Sequence, residues 1–153
     1  MQIESASPSL QPELTRNFPL SANGNASFVV STEAALATLL RRIAGLARAL
    51  PNAAVNAYTQ AVSDEIAALP ATLQGTEIER LVRQRVGQQK FREAMLDYWG
   101  SACAVTGIAL PAVLRASHAK PWAECASDAE RLDVFNGFLL SANLDALFDK
   151  FLI

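Results

Sequence analysis

The sequence predicts an α+β chain with a mainly helical N-terminal part and a small strand–loop–strand–helix unit at its end. Three observations predict it. Apolar residues recur at helical spacing from Leu36 to Tyr98. Two short apolar runs, Val113–Ser117 and Phe138–Leu140, flank a polar loop that ends in the strong turn signal Asn136-Gly137. A capping serine, Ser141, then precedes Leu144, Leu147 and Phe148 at helical spacing. Composition agrees with a folded chain. Of 153 residues, 51% are hydrophobic and 18% charged, ample for a core.

Residues 1–31 are rich in Ser, Pro, Asn and Gly, and Pro8, Pro12 and Pro19 argue against helix there. Ala26–Val30 reads as a short strand without an evident partner. Ser31 or Thr32 caps the next element, and Glu33 in its first turn suits the positive end of the helix dipole. Leu36, Leu39, Leu40, Ile43, Leu46 and Leu50 line that helix, which Pro51 and Asn52 end. A second helix carries Val55, Tyr58, Val62, Ile66 and Leu69 on one side and closes at Pro70. The two read as a helical hairpin within an N-terminal extension, residues 1–75. A packed layer is its plain role; a surface for a homodimer or another partner is the alternative.

From Thr76 the pattern is helical again, with Gly87 expected to break or kink the run. The stretch Arg80, Arg83, Arg85, Lys90 and Arg92 contains no acid and forms a local basic patch. Such a patch is either a solvated helix face or a phosphate-binding one. Cys103–Thr106 reads as a short strand and Gly107 as a turn.

The only histidine, His118, sits at the end of the expected strand Val113–Ser117 and is followed by Lys120-Pro121-Trp122. Asp145 and Asp149 are four apart, so both project from one face of the last helix. Trp122 reads as packing under the loop, and Arg131 as pairing with an acid or reaching phosphate.

Charge, cysteines and hydropathy exclude several classes. The formal net charge of −2 gives no overall pull toward nucleic acid, so any basic surface is local. Cys103 and Cys125, even with His118, cannot complete a four-ligand zinc site, and they read as structural and reduced, as in the cytoplasm. No apolar run reaches the roughly 18–20 residues that span a bilayer, and the N-terminus lacks the regions of a signal peptide. A soluble, cytoplasmic protein is the expectation.

The order of these pieces resembles the HNH endonuclease family. R-V-G-Q-Q-K-F-R, C-A-V-T-G, A-S-H-A-K-P-W and N-G-F-L-L-S…L-D-A-L-F-D are similar to the motifs of one bacterial branch. The resemblance covers about residues 80–152 and implies that residues 76–153 form a nuclease domain around a small β-β-α metal unit. It implies a metal-dependent endonuclease that hydrolyses DNA phosphodiester bonds, in restriction or phage defence. His118 would be the general base and Asn136 the residue that ties the loop and orients the His118 ring. Asp145, with Asp149 one turn on, would hold a divalent metal, Mg²⁺ or Mn²⁺ by the hardness of the oxygen donors. Arg80, Arg83, Arg85, Lys90, Arg92 and Lys120 would bind nucleic acid. Two departures bear on this. Ser117 stands where many members place an Asp or His ligand, and Phe151 stands where the branch has a helix-ending glycine. The alternative reading is a catalytically inactive HNH-fold module that binds nucleic acid.

Overall fold

The computed structural model describes residues 2–4, 10–16, 18, 27–70 and 75–153. The chain forms two compact units, Met1–Arg48 and Ala49–Ile153.

In the first unit, strand β1 (Gln2–Glu4) pairs antiparallel with β2 (Ser27–Val29), Ile3 opposite Phe28. The expected strand near Ala26–Val30 thus has a partner at the start of the chain. Between them lies α1 (Leu10–Thr15), which corrects the expectation that proline excludes helix here. Pro12 is the third residue of α1, in the turn where backbone N–H groups have no intrahelical acceptor to lose. Pro8, Pro19 and Asn23-Gly24 lie outside the described residues. Helix α2 (Glu33–Ala49) begins as expected, with the Thr32 hydroxyl accepting the Ala35 N–H at 3.1 Å. Leu39 and Leu46 are fully buried, whereas Leu40 is exposed.

The second unit begins with α3 (Pro51–Ala68). Pro51 opens this helix rather than merely ending the one before, since its fixed φ suits a first helical position. Pro70 closes it as expected: the residue before proline disfavours helix, and Leu69 is extended. Helix α4 (Thr76–Tyr98) packs on α3. It runs unbroken through Gly87, so the expected break does not occur there. Val86, Phe91, Ala94, Met95 and Tyr98 are buried along it, and Leu81 is exposed. The helix ends with Gly100 and Ser101 at φ of 63° and 58°. Ser101 N–H reaches the Leu96 carbonyl at 2.7 Å, satisfying one of the last-turn acceptors.

The segment Cys103–Thr106 is a turn, not the expected strand. Ala104 N–H donates once to Leu139 O at 2.8 Å, but the chain then doubles back. Gly107, at φ of 71°, donates to Cys103 O, and Cys103 donates to Ile108 O, so the backbone groups are spent locally.

Strands β3 (Leu114–His118) and β4 (Gly137–Ser141) pair antiparallel along their whole length, Leu114 opposite Ser141 and His118 opposite Gly137. The polar loop between them holds an unexpected short helix, α5 (Asp128–Arg131), whose Glu130 N–H is capped by the Ser127 hydroxyl at 3.2 Å. Helix α6 (Ala142–Phe148) follows β4 directly. Ser141 holds its N-cap position as expected, but its hydroxyl bonds Asn143 Oδ1 at 2.8 Å rather than a backbone N–H.

Residues of a strand alternate between faces. Leu114, Ala116 and His118 share one face of the β3–β4 ribbon, and Arg115 and Ser117 the other. Phe91 of α4 lies on the His118 face, and α6 lies on the Ser117 face, where Phe138 meets Phe148 edge-on at 5.8 Å. The ribbon is therefore held between two helices. Leu114 and Leu139 are fully buried, with Leu132 and Val134 from the loop.

Candidate active site

The ring of His118 is fixed on three sides. It stacks on Phe91, with centroids 3.7 Å apart and planes at 20°. Trp122 meets it edge-on at 5.8 Å. Its Nε2 lies 2.8 Å from the Arg131 carbonyl oxygen. A carbonyl only accepts, so Nε2 carries the hydrogen and Nδ1 keeps a lone pair. Burial holds the ring's pKa below its ordinary value, against the opposing pull of the Arg131 carbonyl. The neutral imidazole is thus favoured at neutral pH.

Asn136 ties the loop. Its Oδ1 accepts the Lys120 N–H at 2.9 Å, and its Nδ2 reaches Glu130 O at 3.2 Å and Cys125 Sγ at 3.4 Å. Its own carbonyl accepts the Ala119 N–H at 2.9 Å. These bonds fasten both ends of the loop beside His118. The bond that orients the ring comes from Arg131, not from the Asn136 side chain. Asn136 acts on the ring through the loop. Arg131 itself is held by Asp128 at 2.9 Å, by the carbonyls of Trp122 and Cys125, and over the Trp122 ring at 5.6 Å.

On the other face of the ribbon, the buried Ser117 donates its hydroxyl to Asp145 Oδ1 at 2.5 Å. Asp149 ends the same helix one turn on, and its N–H returns to Asp145 O at 2.9 Å. Ser117 and Asp145 are brought together; His118 and Asp145 flank the end of β3 from opposite sides. Among the described residues, no three His, Cys, Asp or Glu side chains gather as a ready ligand cluster. The oxygens of Ser117, Asp145 and Asp149 nonetheless suit in kind a hydrated Mg²⁺ or Mn²⁺, which binds through one or two carboxylates and keeps several waters.

Five of the six expected nucleic-acid contacts, Arg80, Arg85, Lys90, Arg92 and Lys120, are engaged within the chain. Arg80 pairs with Glu77 at 2.6 Å, Arg85 with Glu65, Lys90 with Glu93 at 2.8 Å, and Lys120 with Glu130 at 2.6 Å. Arg92 donates to the Leu114 and Pro111 carbonyls at 2.6 and 2.7 Å. Arg83 and Tyr58 line a cavity of about 530 Å³ between α3, α4 and α5. At about 100° per residue, Arg83 and Lys90 share one side of α4, and Arg85 and Arg92 another. The run of cations is thus spread around α4 and does not form one continuous face.

Phe91 carried no functional reading in the sequence, and Arg131 was read through its side chain, as pairing with an acid or reaching phosphate; the side chain does pair with Asp128, but the atom that holds the His118 ring is the Arg131 backbone carbonyl. Gly87 was a visible signal, since a mid-helix glycine costs about 1 kcal/mol relative to alanine and calls for a packing reason.

With this geometry in place, the chain can be compared with known proteins. Residues 103–153 match the family described as HNH endonuclease. No curated protein matches the chain. The match assigns a nuclease-type fold to the segment that contains β3, the loop, β4 and α6. No helix among the described residues is long and apolar enough to cross a membrane.

Proposed function

We propose that the chain is a metal-dependent endonuclease that hydrolyses DNA phosphodiester bonds, with His118 as general base. The observation that carries this reading is the Nε2 contact with the Arg131 carbonyl at 2.8 Å. It leaves Nδ1 free to take a proton from water as that water attacks phosphorus, and burial keeps the ring unprotonated for the task. Asn136 holds the loop that carries the Arg131 carbonyl. The scissile phosphate would lie at the end of β3, between the His118 ring and the Asp145 side. Ser117, Asp145 and Asp149 would hold the divalent cation. When bound, it would supply neutralisation of the charge on the phosphate oxygens. Lys120 and the cations of α4 would contact the DNA backbone. Their exposed pairs are weak because solvent and salt screen them, so phosphate can displace the acid partners. Restriction or phage defence in the cytoplasm is the setting this activity would serve.

Plasmid nicking under Mg²⁺ or Mn²⁺ titration tests the reading. Wild type is expected to nick and His118→Ala to lose nicking. Equal metal-dependent cleavage by both would sink it. A second reading, an inactive HNH-fold module that binds nucleic acid, draws support from the Ser117 bond that occupies Asp145 Oδ1. It predicts salt-dependent DNA binding with no cleavage under either metal.

A further inference from the structure

We propose that Phe91 is a positioning residue for His118, that Gly87 one turn before it makes room for this arrangement, and that the working site therefore includes α4. The proposal rests on the reading of His118 as the base. Phe91 is 1% exposed and its ring lies nearly parallel to the imidazole at 3.7 Å. It is pressed there from the ribbon as well. Gly137 is the pairing partner of His118, and a Cβ added to it would lie 3.0 Å from Phe91 Cζ and 2.3 Å from the Ser117 carbonyl oxygen. A side chain at residue 137 would push on both the strand and the stack.

Gly87 acts through the loop. A Cβ there would lie 2.1 Å from Trp122 Cη2 and 2.8 Å from its Cζ2. The indole is rigid, so it must move as a body. Trp122 supports Arg131 through its ring at 5.6 Å and through its carbonyl, which accepts from Arg131 Nε at 3.2 Å. The Arg131 carbonyl in turn holds His118 Nε2. The chain of contacts runs from Gly87 to Trp122, Arg131 and His118, and returns to α4 at Phe91. Gly87 and Phe91 are four apart and share one face of α4. The stack fixes the ring plane, and the carbonyl fixes the rotation within it. Neither residue lies in the segment that matches the nuclease family.

The test uses the full chain, in which one histidine gives one set of imidazole signals. In wild type with isotope-labelled histidine, the ring protons are expected to be shifted upfield by the Phe91 face. They should show NOEs to the Phe91 ring, with Nε2 bearing the proton at pH 8. Solution-like shifts without such NOEs would overturn the proposal. Phe91→Leu keeps an apolar side chain and removes the ring. It is expected to abolish the upfield shift and lower kcat for nicking by about ten-fold or more, out of the ~10²–10⁴ that a positioned base contributes, with KM little changed. Loss of the upfield shift with kcat unchanged would overturn the proposal. Gly87→Ala retains the Phe91 ring and serves if Phe91→Leu fails to fold; it should displace the Trp122 indole signals and weaken the Nε2–H bond. An unperturbed His118 in Gly87→Ala would remove Gly87 from the proposal. Wild-type signatures without any DNA cleavage would support the positioning and sink the nuclease reading alone.

Discussion

Ser117 and Asp145 are joined by a hydrogen bond of 2.5 Å that fastens β3 to α6 across one face of the ribbon. The serine is buried, so its hydroxyl has no water to turn to if the carboxylate is lost. Ser117→Ala is expected to destabilise the protein by about 1.5–3 kcal/mol, in the range for a hydrogen bond to a charged group. Chemical denaturation with an unchanged slope would measure it.

Ser117→Asp tests the cation site directly. It sets a second carboxylate beside Asp145, and like charges at this distance repel. The melting temperature should fall in chelator and recover with Mg²⁺, by more than Mg²⁺ raises wild type. A Mg²⁺ response no larger in the variant than in wild type would count against a cation held by these oxygens.

His118 makes stability depend on pH in a defined direction. Its ordinary pKa is near 6.5, and burial holds the folded value lower. Between the two values the unfolded chain binds more protons, so stability rises with pH through that window and levels off above it. His118→Gln should flatten this slope in the range just below about pH 6.5. An unchanged slope in urea titrations across that range would contradict the assignment.

Phe151 ends α6 in the left-handed region, at φ of 55°, with its side chain 93% exposed. Its N–H reaches Phe148 O at 2.9 Å and the Leu152 N–H reaches Leu147 O at 3.0 Å, a helix-ending motif that favours glycine. Phe151→Gly removes the Cβ clash and loses little packing, so it should stabilise the protein by ~1 kcal/mol. Thermal denaturation checks the sign; a lower melting temperature would contradict it.

Cys103 Sγ accepts N–H bonds from Ser141 at 3.3 Å and Thr106 at 3.5 Å. Burial raises the thiol's pKa, but the Thr106 hydroxyl and the amides of Thr106, Val105 and Ser141 outweigh it and bring it down to about 6. Cys103→Ala leaves these donors without an acceptor where β4 meets α6, at a cost of about 1–3 kcal/mol. Cys103→Ser, which keeps an acceptor, should lose less, as read by urea unfolding.

Much of the C-terminal unit was legible because its signals are local. Asn136-Gly137 marks the turn into β4, Pro121 marks the exit after β3, and Ser141 marks the start of α6. The spacing of Asp145 and Asp149 gave their shared face. What escaped depends on contacts distant in sequence. Strand β2 finds its partner at Gln2–Glu4, and three residues carry too little pattern to announce a strand. Pro12 misled because its effect depends on its position in a helix whose start was not apparent. Cys103–Thr106 has strand-like residues, but Gly107 returns the chain on itself after one bond to β4. The constraint on His118 comes from a backbone carbonyl, and every residue has one.

The internal engagement of the cations sets how a polyanion would be met. Each contact with DNA would be an exchange in which a carboxylate or carbonyl is released as a phosphate is gained. Released carboxylates would gather cations of their own, offsetting part of the counterion release that drives association with DNA. Added salt would also loosen Arg80 from Glu77 and Lys120 from Glu130 before DNA arrives. The dependence of affinity on ionic strength would therefore be shallower than the number of basic side chains implies.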